Sequence, residues 1–145
     1  MEFEIRFGYE SSWVDRIMEI HNMTEMKRNN REKVDRAFKN SFAVVSYWIN
    51  GEIIAVGRMI SDGEMYSGIY DVVVDPQYQK KGLGRKIMEA LIKKAPHTCF
   101  YLTSTFGNEL FYHKLGFKRH RTALALYPES LKLSPYLDHN WNPLK

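Results

Sequence analysis

The sequence predicts an α/β fold in which helices cover a mixed β-sheet. Three features predict it. A β-meander is written around Asn50-Gly51. A strand, loop, helix and strand follow in order from Ile69 to Ser104. One strand and two helical segments precede both.

Each element has a local reason. Phe3, Ile5 and Phe7 alternate with Glu4 and Arg6, as in a half-buried strand. Ser11 or Ser12 can cap a helix running to about Met23, with Trp13, Ile17 and Ile20 on one stripe and Val14, Met18 and His21 beside it. Asn22 to Asn30 reads as a polar loop. Arg31 to Lys39 reads as a short helix offering only Val34, Ala37 and Phe38 to a core. Phe42–Ile49 and Glu52–Ile60 are rich in β-branched and aromatic residues. The Asn-Gly pair between them suits a tight hairpin, because both turn positions want positive φ. Asp62-Gly63 marks a second turn, and Ile69–Val74 is the next strand, stopped at Asp75-Pro76.

Gly82 to Ala95 is the clearest helix. Leu83, Ile87, Met88, Leu91, Ile92 and Ala95 share one face, and Pro96 ends it. Thr98–Ser104 reads as a strand and Asn108–Leu115 as a short helix stopped by Gly116. Phe117 to Tyr127 is expected to hold a last strand or strand pair. The tail from about Pro128 is expected to be irregular, with Tyr136, Leu137 and Trp141 docked on the body.

The 145 residues suit a single domain. No apolar run approaches the roughly 20 residues of a membrane span. The first six residues lack a basic segment followed by an apolar one, so no signal peptide is expected. Cys99 is the one cysteine, which excludes an intrachain disulfide and suits a reducing cytoplasm. In its predicted interior strand the thiol should be buried and inert. The five histidines and Cys99 show no metal-ligand spacing, so no metal is expected.

The net charge is +4, and its distribution is more informative than its sum. Lys80, Lys81, Arg85, Lys86, Lys93 and Lys94 face only Glu89 within residues 79–94. Lys27, Arg28, Arg31, Lys33 and Arg36 are diluted by Glu25, Glu32 and Asp35 and read as a solvated face. Aromatics are not interleaved with the basic residues of 79–94, which argues against nucleic acid.

The chemistry centres on Gln79-Lys80-Lys81-Gly82-Leu83-Gly84. A helix N-terminus leaves N–H groups unpaired and carries partial positive charge, so it attracts phosphate oxygens. Gly82 and Gly84 let backbone approach those oxygens, and Lys80, Lys81 and Arg85 add full charges. A third glycine at 87 is missing, so this is not a dinucleotide fingerprint. No Gly-Lys-Ser or Gly-Lys-Thr follows, so it is not a Walker A loop.

With the strand before it and the helix after it, the run resembles motif A of the GNAT (GCN5-related N-acetyltransferase) superfamily, on Gln79, Gly82 and Gly84. Phe111-Tyr112-His113-Lys114-Leu115-Gly116-Phe117 resembles its motif B. Ile60-Ser61-Asp62-Gly63 followed by Asp71-Val72-Val73-Val74 is similar to a subgroup of small enzymes that acetylate arylalkylamines such as serotonin.

The resemblance implies a mixed, mostly antiparallel sheet with about four helices. It also implies acetyl-CoA as cosubstrate and a small-molecule or peptide amine as acceptor. Homodimers are common in the superfamily. The cofactor would meet Val72, Val73 and Val74 through their backbone, and Gln79, Lys80, Lys81, Gly82, Leu83, Gly84 and Arg85 at the loop. Tyr112 falls on the tyrosine that protonates the leaving thiolate; a core aromatic is the competing reading. The superfamily's pantetheine-binding asparagine falls on Thr105, so Ser104, Thr105 or Asn108 would replace it. A carboxylate must take the amine proton, directly or through water. Asp71, an acid in an apolar strand, is the first candidate, with Asp62 and Glu64 next. For each of the three, an ion pair with Lys or Arg is the alternative.

Overall fold

The computed structural model describes residues 2–145. The chain packs as two compact units, one ending at Thr105 and the other running from Phe106 to Lys145.

In the first unit, β1 (Glu4–Phe7), β2 (Ala43–Ile49), β3 (Glu52–Ser61), β4 (Tyr66–Val74) and β5 (Cys99–Tyr101) form one sheet in sequence order. The first four strands are antiparallel neighbours, and β4 and β5 are parallel. Asn50 and Gly51 turn at φ 50° and 78°, as the hairpin requires. The helices are α1 (Val14–Asn22), α2 (Arg31–Lys39) and α3 (Leu83–Ile92). Neither serine caps α1; a turn of 3-10 helix over Ser11–Trp13 leads into it instead. At α2, Asn30 Oδ1 accepts the Lys33 N–H at 3.1 Å, a side-chain N-cap.

The sheet is covered on both faces. On one, Val14, Ile17 and Ile20 of α1 and Val34 and Phe38 of α2 pack on Val44, Trp48, Ile53, Val56 and Val73. Neighbouring strand residues point to opposite faces, so Gly57 looks the other way from Val56. A Cβ at Gly57 would lie 2.6 Å from Ile87 and 3.3 Å from Leu91 of α3. The apolar stripe of α3 therefore seats directly on backbone, and Leu83, Ile87, Met88 and Leu91 are buried there. That contact fixes where the N-terminus of α3 stands relative to β4.

Strand β5 is shorter than expected and lies at the sheet edge, so Cys99 is exposed rather than interior. The second unit holds α4 (Glu109–Lys114), closed by Gly116 at φ 99°, and one 3-10 turn at Glu129–Leu131. Phe106 stacks on Tyr136 with ring centroids 4.4 Å apart. The strand expected within Phe117–Tyr127 is absent. Leu124 and Leu126 do alternate with alanines, yet both are exposed and no strand pairs with them. Alternation without a hydrogen-bonding neighbour leaves the backbone to solvent.

Gly57→Ala should destabilise the protein by about 1–3 kcal/mol, because the added methyl overlaps Ile87 within a closed core. Thermal unfolding measures this; an unchanged midpoint would mean that α3 does not seat on Gly57.

Candidate active site

Two features of β4 shape the site. The first is a bulge. Val56 pairs with Val73 and Arg58 with Tyr70, so Asp71 and Val72 together stand opposite Gly57. Asp71 takes a left-handed backbone at φ 57°. Aspartate tolerates that region better than most side chains. The second is a loss of pairing. Strand β4 meets β5 only through Tyr66, Ser67 and Gly68, but it pairs with β3 as far as Val74. From Ile69 to Val74, β4 has a strand neighbour on one side only. Backbone groups of Val72, Val73 and Val74 therefore lie where an extended ligand could take the place of β5.

The end of β4 is pinned. Asp75, only 5% exposed, accepts the Gln77 N–H at 2.9 Å and a guanidinium N–H of Arg16 at 2.8 Å. Arg16 also donates to the Ile53 carbonyl at 2.8 Å. The Gln79 side-chain amide donates to the Val74 carbonyl at 3.2 Å. The chain then passes Lys80 at φ 64° and Gly82 at φ 80° before α3 begins. Gln79, Lys80, Lys81 and Gly82 are exposed, and Gly84 and Val74 are half-buried. No side chain caps α3, and a Cβ at Gly82 would meet nothing within 4 Å. An uncapped helix start beside two lysines and two left-handed residues is a donor set suited to a pyrophosphate. Leu83 is buried, so it could offer only its N–H, while Arg85 ion-pairs with Glu89 at 2.7 Å on the exposed side of α3. These residues fit the phosphate end of acetyl-CoA.

Asp71 is not a free carboxylate. It is 5% exposed and lies between two guanidiniums. Arg58 Nε donates to Oδ2 at 2.6 Å, and Arg28 Nη2 donates to Oδ1. Burial alone would raise its pKa; the two arginines outweigh it and hold the carboxyl below its ordinary range. A carboxylate held that low is a weak proton acceptor at neutral pH, so the ion-pair alternative describes Asp71 and the general-base expectation loses its chemical basis. The bulge also resets the alternation along β4. Strict alternation would put Asp71 and Tyr70 on opposite faces, yet both meet Arg58, whose guanidinium lies 5.5 Å from the Tyr70 ring centroid.

Asp62 is committed as well. One of its oxygens takes the N–H groups of Glu64, Met65 and Tyr66 at 2.8, 2.7 and 3.0 Å, which holds its pKa down. Glu64 is exposed on the same turn.

His21 escaped the sequence reading. It is fully buried. Its Nδ1–H donates to the Met26 carbonyl at 3.0 Å, while Nε2 lies 3.8 Å from Asp71 Oδ1 and has no hydrogen-bond partner. Burial lowers its pKa, so the ring is held neutral. Arg28 also corrects an expectation, since it reaches a buried carboxylate and is not simply a solvated charge. The signal for this cluster was legible: Arg58 and Asp71 are the lone charges inside adjacent apolar strands of a meander.

In the second unit, Tyr112 is half-buried in α4, between Phe111 at 5.0 Å and Phe117 at 6.1 Å, centroid to centroid. Burial raises its pKa, which keeps the phenol protonated at neutral pH. Asn108 is exposed directly before α4, and Thr105 is half-buried at the end of the first unit.

Comparison with known proteins bears on the fold and the family. A GNAT-family acetyltransferase from Streptococcus pneumoniae superposes with a TM-score of 0.75 at 18% identity, over 88% of this chain and 99% of that one. The chain belongs to the acetyltransferase (GNAT) family, whose model matches residues 10–117. It is 31% identical over 93 residues to GCN5-related N-acetyltransferase 1, chloroplastic, of Arabidopsis thaliana, covering 63% of this chain and 47% of that protein. It is 30% identical over 97 residues to serotonin N-acetyltransferase 2, chloroplastic, of Oryza sativa, covering 62% and 47%. The chain thus spans about half the length of these curated relatives. No described helix is long and apolar enough to cross a membrane.

The buried cluster makes stability pH-dependent, and both groups act in one direction. The unfolded His21 ring takes up a proton below its ordinary value of about 6.5, whereas the folded ring resists. Stability therefore falls as pH drops below that value. The contribution of Asp71 is complete above its unfolded value of about 3.9 and is lost as pH falls towards its lower folded value. In urea unfolding from pH 7 to 3, the wild type should lose stability in both windows. Asp71→Asn should be less stable at pH 7 by about 3 kcal/mol and should lose less below pH 4. Parallel curves below pH 4 would contradict this.

Proposed function

We propose that the protein transfers the acetyl group of acetyl-CoA directly to a primary amine on a small molecule or peptide. One observation carries the reading: the one-sided segment Val72–Val74 runs into the open, uncapped loop Gln79–Gly84. A ligand with a pyrophosphate at one end and an amide-bearing arm at the other matches that sequence of donors. Family membership supports acetyl transfer as the chemistry.

Bound acetyl-CoA supplies a thioester activated towards amines. The loop amides and Lys80 and Lys81 hold the pyrophosphate, Gln79 braces the loop on β4, and Val72–Val74 hold the pantetheine arm through backbone. Ser104, Thr105 or Asn108 supplies the polar contact that the superfamily's asparagine makes. Tyr112, kept protonated by burial, donates its proton to the leaving thiolate. With Asp71 and Asp62 committed to other partners, the amine proton leaves to water or to Glu64. The name of the rice relative makes arylalkylamines the first acceptors to test.

Thiol release over a panel of arylalkylamines, polyamines, amino sugars and peptides tests this. At least one amine should release thiol. Acetyl-CoA at 100 times its Kd should stabilise the protein by about 2.7 kcal/mol. Tight binding without release for any amine would favour an acyl-CoA sensor; no binding would refute the reading. Tyr112→Phe should lower turnover by about 10²-fold with acetyl-CoA affinity nearly unchanged. An unchanged rate would remove Tyr112 from the mechanism.

A further inference from the structure

We propose that Asp71, Arg58 and Arg28 act together as positioning residues that hold the β4 bulge and so align the acyl end of the cofactor strand. The inference rests on the acetyltransferase reading above.

Asp71 stands at the one place where β4 changes geometry. Its backbone is left-handed, and it forms the two-against-one step opposite Gly57 with Val72. A left-handed residue other than glycine carries some backbone strain, which surroundings that hold it can offset. Here those surroundings are two ion pairs from different elements. Arg58 comes from β3, next to the Gly57 that the bulge faces, and bonds Asp71 Oδ2 through Nε. Its guanidinium also lies near two aromatic rings, 5.7 Å from the Phe38 centroid and 5.5 Å from that of Tyr70. Arg28 comes from the irregular segment between α1 and α2 and bonds the other oxygen. That segment is also tied to α1, because the Met26 carbonyl accepts from buried His21. The bulge, the neighbouring strand and the α1–α2 segment thus share one buried carboxylate.

The position along the strand gives the clamp a specific consequence. At about 3.3 Å per residue, Asp71 stands roughly 10 Å from Val74. The pyrophosphate loop begins beyond Val74, and Val72 is the first of the arm-binding residues on the bulge side. Releasing the clamp should therefore loosen the reacting end of the strand and leave the phosphate end held by Asp75, Arg16 and Gln79. A misplacement of about 1 Å near the chemistry can cost on the order of 10²-fold in rate. This end-specific effect separates positioning from general destabilisation.

The test compares Asp71→Asn, Arg58→Met, Arg58→Lys and Arg28→Met with the wild type. Asp15→Asn serves as a control that breaks only an exposed ion pair with Arg31. Arg28 is 39% exposed, so its variant should fold even if loss of Arg58 does not. Without ligand, amide hydrogen exchange at residues 71–74 should accelerate about 10-fold or more in Arg28→Met and Asp71→Asn, with residues 79–85 unchanged. With acetyl-CoA and an active amine, kcat should fall about 10-fold or more, while the Kd for CoA stays within about 3-fold. Arg58→Lys should recover part of what Arg58→Met loses, and Asp15→Asn should match the wild type. Wild-type exchange at 71–74 in the folded Arg28→Met protein would overturn the clamp, whatever the activity. So would kcat and CoA affinity falling in proportion. A wild type that fails to bind acetyl-CoA would instead refute the underlying reading, and the ligand-free exchange would still decide the clamp.

Discussion

Strand β4 has to satisfy two opposing demands. Its first residues complete a sheet with β5, and its last residues lack that partner. Pairing with β5 stops at Gly68, and within the one-sided stretch that follows stands the bulge at Asp71 and Val72, opposite a glycine whose missing side chain makes room for Ile87 and Leu91. An unpaired strand edge inside a domain is costly unless its N–H and C=O groups find another acceptor or donor. The β5 ladder ends at Gly68 while the β3 ladder continues through the bulge to Val74, which leaves the far edge of residues 69–74 to whatever lies beside it. The rest of the first unit is arranged around that stretch. Helix α3 rests on Gly57, α1 and α2 pack on the other face, and the buried ion pairs of Asp71 and Asp75 pin the strand on either side of Val72–Val74.

Electrostatics and conformation reinforce each other here. Two arginines around one buried carboxylate keep Asp71 ionised, and an ionised Asp71 keeps both arginines in place. The arrangement removes Asp71 from the list of proton acceptors and makes it part of the scaffold. His21 shows the same economy of partners: its one donor is spent on Met26, and its lone pair faces a carboxylate oxygen. Neutral histidine beside a clamped aspartate is a stable arrangement only above the pH at which the ring must charge.

Much of this was legible in the sequence because the relevant rules are local. Asn50-Gly51 could turn in one way, the stripe of α3 had one apolar face, and Gln79 to Gly84 lay between a strand and a helix. Three things were not legible. A bulge depends on register between strands, so simple alternation would separate Asp71 from Tyr70, whereas Arg58 meets both. The length of β5 depends on where pairing stops, so Cys99 was read as interior when it is exposed at an edge. Leu124 and Leu126 had the alternation of a strand and lacked a neighbour to pair with. Each miss concerns a partner distant in sequence, which a pattern along one segment does not encode.

In the proposed function, the one-sided stretch of β4 and the start of α3 form one continuous cofactor surface. Residue-resolved amide hydrogen exchange with and without saturating acetyl-CoA tests it most directly. Added protection is expected in two places together, at residues 72–74 and at residues 82–85, with little change along β2. Protection at the loop without protection at 72–74 would mean that β4 does not hold the cofactor arm, and would contradict it.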